Sequence, residues 1–129
     1  MKIFQIASAL IELGAALALM GVPSAMVTLL LGSPLDSMAA VVLGRLAGAA
    51  LFALALACWL ARGDAQGPAA RGLIAAMAFY NLAVAALFTF AGLGPKLAGL
   101  ALWPAVILHA AMAVWCLSCL SRKPVPTTK

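Results

Sequence analysis

The sequence predicts an all-α integral membrane protein, an antiparallel four-helix bundle with a short interfacial or re-entrant half-helix between its first and second spans. Three observations carry that prediction. Of 129 residues, 67% are hydrophobic and 9% charged, against about 45–50% and about 25% in an ordinary soluble domain. Ala (31 residues) and Leu (24 residues) supply much of the excess. A soluble fold of this length has too little interior for so much apolar surface, so lipid is the expected solvent. The apolar residues also gather into four runs near the roughly 20 residues that cross a bilayer. None of the runs alternates with period 2, which removes a β-barrel and leaves helices. The same composition excludes a disordered chain, a disulfide scaffold and a nucleic-acid domain.

The elements follow in order, within a single domain over residues 1–129. The first span covers about 3–20 and is broken by Gly21 and Pro23. Ser24 is placed to cap a helix over 24–31, too short to cross. Ser33 before Pro34 has the form of an N-cap followed by proline in the first turn, opening a second span over 35–61. A polar loop, Arg62 to Pro68, leads to a third span over 72–91. The tight Gly92-Leu93-Gly94-Pro95 turn precedes a fourth over 96–120, in which Pro104 either kinks the helix or starts it. Glu12 inside the first run, and Pro23 where a cleavage site would lie, speak against a removed signal peptide.

Lys2, Arg62, Arg71, Arg122, Lys123 and Lys129 flank one side of these spans, and only Lys96 lies in a loop on the other. The positive-inside rule then puts both termini in the cytoplasm. Trp59 and Trp115 fall at the same side, where aromatic anchors belong. The net charge of +5 is read as topology and contact with lipid headgroups.

Each span carries one polar interruption: Glu12, Arg45, Asn81 beside Tyr80, and His109. At about 1.5 Å per residue, Glu12 and Asn81 lie roughly 13 Å from the cytoplasmic ends, His109 roughly 16 Å and Arg45 roughly 24 Å. A charge at a span centre costs about 2.5–3.5 kcal/mol, so these groups are expected to face inward as one layer with Glu12 and Arg45 paired. Arg45 adjoins Gly44-x-x-x-Gly48, extended backwards by Ala40, a spacing of small residues that lets a second helix approach closely. The layer serves either as a structural clasp or as a proton or ligand site.

His109, Met112, Cys116 and Cys119 also fall on one stripe of the fourth span, with Cys58 at a similar depth. Imidazole, thioether and thiolate together suit Cu(I) or zinc. The alternative is that Cys and Met simply fill apolar space. Catalysis has little to work with, since both Asp residues are in loops and the single His is mid-span. Neither an enzyme nor a cofactor is expected.

The pattern of Glu12, Leu30-Leu31-Gly32, Arg45-Leu46-Ala47-Gly48, Tyr80-Asn81 and Leu102-Trp103-Pro104 with His109 resembles a group of small, uncharacterised bacterial four-span inner-membrane proteins. The resemblance covers nearly the whole chain and implies a bacterial inner-membrane location. In layout alone the chain is also similar to small multidrug resistance transporters, whose proton-coupling Glu in the first helix Glu12 would match. It departs from them in carrying Arg45 and His109 and in lacking their Gly-rich, aromatic third helix. The membrane-associated eicosanoid and glutathione family is four-helical too, but its Arg, Asn and Glu share one helix, whereas here they are scattered. The functions expected are a non-catalytic accessory subunit or small ligand-binding bundle, or a homodimeric proton-coupled transporter using Glu12. The partners expected are membrane lipid and another membrane protein or further copies of the chain, with no nucleic acid.

Overall fold

Helices in lipid satisfy their own backbone hydrogen bonds and then associate through close packing and polar contacts, because lipid tails give apolar faces no reason to leave them. The computed structural model describes residues 1–64 and 67–121, with Asp64 described for its backbone alone. The described helices are α1 (Lys2–Gly21), α2 (Pro23–Leu31), α3 (Met38–Ala61), α4 (Pro68–Leu93) and α5 (Leu102–Ser121), and a 3-10 turn covers Arg62–Asp64. No strand occurs among the described residues. α1, α3, α4 and α5 are long and apolar enough to cross a membrane, the architecture of a multi-pass membrane protein. At most 33% of any span window is buried inside the chain, so side chains such as Phe79 and Ile107, 76% and 70% exposed, face outward. The expected loop residues Ala65 and Gln66, and Arg122, Lys123 and Lys129 of the tail, lie outside the described residues.

Local chemistry sets the helix boundaries, and four differ from the sequence expectation, one being α4, which opens at Pro68 and ends at Leu93 against the expected 72–91. Proline at the first position of α2 needs no N–H there. Ser24 does not cap α2, since its hydroxyl accepts the Leu35 N–H at 3.2 Å and ties α2 to the following connection. Leu35 and Asp36 are not helical, so Ser33 and Pro34 do not open α3. Ser37 does so instead, with extended backbone and a side-chain oxygen that accepts the Ala40 N–H at 3.1 Å. At α5, Pro104 is the third helical residue, where its missing N–H falls among groups without an intrahelical partner. Pro104 therefore starts the helix and does not kink it, and α5 begins at Leu102, not near Lys96.

α2 ends at Gly32, whose left-handed backbone (φ 75°) turns its N–H back to the Thr28 carbonyl at 2.8 Å. The next orphan carbonyls of α2 take partners from the segment before α5. Gly99 donates to Leu30 and Ala101 to Leu29, both at 2.9 Å. This contact requires glycine at 99, because a Cβ there would run into the Thr28 and Leu29 backbone oxygens. The half-helix is thus pinned to the α4–α5 connection by main-chain bonds.

The four long helices associate as two pairs. α1 packs along α3 and α4 along α5. Gly48 of α3 meets Ala16 and Met20 of α1, and its missing Cβ is what admits them. On the other pair, Gly92 meets Leu102 and Trp103, Asn81 meets His109, and Arg71 meets Leu120. Residue numbers fall along α5 as they rise along α4, so these two run in opposite directions. Between the pairs lies one core of Phe4, Cys58, Ile74, Met77, Met112, Cys116 and Cys119. These residues place it at the end of the bundle where α1 begins and α5 finishes.

Gly99→Ala is expected to destabilise the protein by about 1–3 kcal/mol, since backbone must shift to admit the methyl group. Gly14→Ala, which meets nothing within 4 Å, should be neutral or stabilising. Thermal unfolding of the two variants in detergent micelles compares them directly.

Candidate functional site

Three helices bring polar side chains together in the middle of the bundle, with α4 as the hub. Successive helical residues point about 100° apart, so Tyr80 turns towards α1 while Asn81 turns towards α5. The Tyr80 hydroxyl donates to Glu12 Oε2 at 3.2 Å. Asn81 donates Nδ2 to the Met77 carbonyl one turn back, at 2.8 Å. That orientation leaves Asn81 Oδ1 facing His109 Nδ1 at 2.8 Å. An amide oxygen only accepts, so His109 Nδ1 carries a proton, and in a neutral ring the lone pair is then on Nε2. Tyr80 and Phe88 stand edge-on to the His109 ring at centroid distances of 5.8 and 6.3 Å. Glu12 is 3% exposed and Asn81 1%, while their partners Tyr80 and His109 are half-buried.

Arg45 does not belong to this layer, and the expected Glu12–Arg45 pair is absent. Arg45 is exposed, and its guanidinium forms no ion pair with Glu12 among the described residues. Helix register explains the difference. With Gly48 seated between Ala16 and Met20, Glu12 lies opposite α3 residues about two turns beyond Arg45, an axial offset of about 10–14 Å. Gly44, one turn before Gly48, packs against Pro23 and Leu35, and Ala40 is half-buried beyond it. The Ala40, Gly44 and Gly48 row therefore seats the α1–α2 corner and does not bring Arg45 to a buried contact.

The stripe of His109, Met112, Cys116 and Cys119 is divided rather than gathered. Met112, Cys116 and Cys119 sit in the core against Phe4, Ile74 and Met77 with Cys58, while His109 turns to Asn81. The three cysteines are free thiols. No group of three His, Cys, Asp or Glu residues among those described is arranged to hold a metal ion. An apolar groove of about 270 Å³ between α1 and α3, lined by Leu10, Leu13, Phe52, Leu56 and Trp59 among others, includes none of the polar layer.

Two polar residues of the interior lie outside the expected set. Gln5 and Ser8 are both 0% exposed, and neither the Gln5 amide nor the Ser8 hydroxyl has a hydrogen-bond partner among the described residues. Their signal was present in the sequence, because positions 5, 8 and 12 follow helical spacing and share one face of α1. At the same end, Arg71 Nη2 donates to the Leu120 carbonyl at 2.9 Å and caps the last turn of α5. Arg62 lies over the Trp59 ring at 3.8 Å and donates to the Trp59 carbonyl, making a cation–aromatic anchor at the end of α3.

No protein family matches this sequence, and no curated protein or solved structure matches it. The chemistry of the site therefore rests on its own geometry.

Nitrogen NMR of the labelled histidine should find the neutral ring protonated at Nδ1, and a ring protonated at Nε2 contradicts the assignment. Asn81→Leu should remove the preference and lower stability by about 0.6–1.7 kcal/mol, the range for interhelical polar bonds in lipid.

Proposed function

We propose that this chain is a small non-catalytic membrane protein of the bacterial inner membrane, with both termini cytoplasmic, that binds a proton or a small organic cation at Glu12. The observation that carries this reading is the buried Glu12 carboxyl, held by the neutral Tyr80 hydroxyl with no Lys, Arg or His ion-paired to it among the described residues. A carboxylate in a low-dielectric interior needs a compensating positive charge, which a bound proton or cation supplies. Tyr80 keeps the carboxyl oriented without neutralising it. The Asn81–His109 pair supports the Tyr80 ring from the far side.

Assembly is part of the same proposal. Arg45 is exposed on a span, where contact with hydrocarbon is costly unless the side chain reaches the headgroups or a neighbouring protein covers it. Ala47, Ala49 and Ala53 are exposed on the same helix, and small residues permit close approach of another helix. This supports a second copy or another membrane protein as partner, the chain then acting as an accessory subunit. A homodimeric proton-coupled transporter is the second reading. It is favoured by the offset of Arg45 from Glu12, which leaves the carboxyl free to exchange one positive partner for another.

The protein in lipid nanodiscs should bind tetraphenylphosphonium or a smaller monovalent organic cation saturably, more weakly as the pH falls, because protons compete for the same carboxyl. Glu12→Gln should abolish that binding with helicity and unfolding temperature little changed. A wild-type chain that binds no cation of a broad panel, or a Glu12→Gln variant that binds as well, contradicts the proposal. The transporter reading further requires pH-gradient-driven flux in proteoliposomes that Glu12→Gln removes.

A further inference from the structure

A buried amide or hydroxyl with no partner costs about 1–3 kcal/mol on mutational scales, and in a membrane no bulk water is at hand to relieve it. Gln5 leaves both Oε1 and Nε2 unpartnered, and Ser8 leaves its Oγ unpartnered, although both residues are 0% exposed. Ser8 stands out among the helical hydroxyls. Thr28 and Thr89 donate to the carbonyls four residues back, and Ser118 and Ser121 to those three residues back. Ser8 makes no such bond, although it is more buried than any of them.

The two orphans are in line with Glu12. From the start of α1 at Lys2, Gln5 is about 4.5 Å along the axis, Ser8 about 9 Å and Glu12 about 15 Å. The spacing puts all three on one face, so together they form a polar ladder from the helix end to the Glu12 carboxyl. The core cluster at this end of the bundle is apolar or weakly polar: Phe4, Ile74, Met77, Met112 and the thiols of Cys58, Cys116 and Cys119. Each is a poor partner for an amide, so the donors and acceptors that complete Gln5 and Ser8 must be brought in.

We propose that Gln5 and Ser8 hold a short file of buried water that carries protons between Glu12 and the membrane face at which α1 begins. Water is the ligand whose chemistry fits, since it donates and accepts, as an amide and a hydroxyl both require, and it brings no charge. Glu12 releases a proton to the nearest water while the file passes another to the aqueous side. Gln5 and Ser8 keep their own protons and only order the chain. The titratable and charged groups of this half of the bundle interior are Tyr80 and Arg71 from α4, Cys58 from α3, and Cys116 and Cys119 from α5, with His109 beyond Asn81. Arg45 is turned away from it. The inference deepens the proposed role of Glu12 by naming its route of proton access.

The test uses the full chain in lipid bilayers. Water-edited solid-state NMR should transfer polarisation from water to the Gln5 side-chain amide at short mixing times, and much less to the Met77 and Met112 methyl groups. Infrared spectra in D2O, with the Glu12 carboxyl band identified by its loss in Glu12→Gln, should show proton-to-deuteron exchange several-fold slower in Gln5→Met and in Ser8→Ala. A Gln5 amide with no water contact overturns the inference, as does an exchange rate unchanged in both variants. Should Gln5→Met fail to fold, Ser8→Ala and the wild-type NMR measurement still decide. Cation binding at Glu12 that persists without water at Gln5 refutes the route and leaves the functional reading intact. Water at Gln5 with slowed exchange but no cation binding supports the route and overturns the cation-binding reading of Glu12.

Discussion

The Tyr80 hydroxyl bond to Glu12 crosses the boundary between the α1–α3 pair and the α4–α5 pair, in a solvent that supplies no replacement partner. Within each pair, helices approach through glycines: Gly48 admits Ala16 and Met20, and Gly92 admits Leu102 and Trp103. Between the pairs, contact is made by larger side chains, Phe4, Ile74, Met77 and Met112, which fill space without specifying register. An ill-paired carboxyl at that depth would cost more than any of these contacts stabilises. The arrangement that satisfies Glu12 therefore selects how the two pairs face each other.

From that constraint the rest of the interior follows. Because Tyr80 is committed to α1, its neighbour Asn81 is directed to α5, where His109 completes the set. The tautomer of His109 is fixed by the Asn81 amide, which is in turn fixed by the Met77 carbonyl. At the opposite end of the bundle, polar satisfaction is a main-chain matter, with the α2 carbonyls closed by Gly99 and Ala101. Side-chain polarity is concentrated in the half of the bundle that holds the core and the Gln5, Ser8 and Glu12 face.

The four spans were legible in the sequence because a helix that is apolar all round over such a length is stable in lipid and hardly anywhere else. Glu12, Tyr80, Asn81 and His109 were legible for a related reason, since each stands out against an apolar background. Their pairing was not. Arg45 was the obvious partner for Glu12 by charge, yet the register set by Gly48 separates them by about two turns, and no pattern of residue types encodes an axial offset between helices far apart in sequence. Ser33-Pro34 and Ser37 are both adequate helix starts, and in the structure it is Ser37 whose side chain caps the helix through the Ala40 N–H. Gln5 and Ser8 carried no such contrast, because single polar residues near a helix end are ordinarily solvated. Their helical spacing from Glu12 was the one sign, and the structure shows both fully buried.

Glu12 is coupled to Tyr80 and not to Arg45. Two double-mutant cycles on the folded protein in bilayers test this, one combining Glu12→Leu with Tyr80→Phe and the other combining Glu12→Leu with Arg45→Gln. A coupling of about 0.6–1.7 kcal/mol in the first cycle is expected, together with additivity within about 0.3–0.5 kcal/mol in the second. Additive effects at Tyr80 with strong coupling at Arg45 would contradict the account and restore the ion pair as the organising contact.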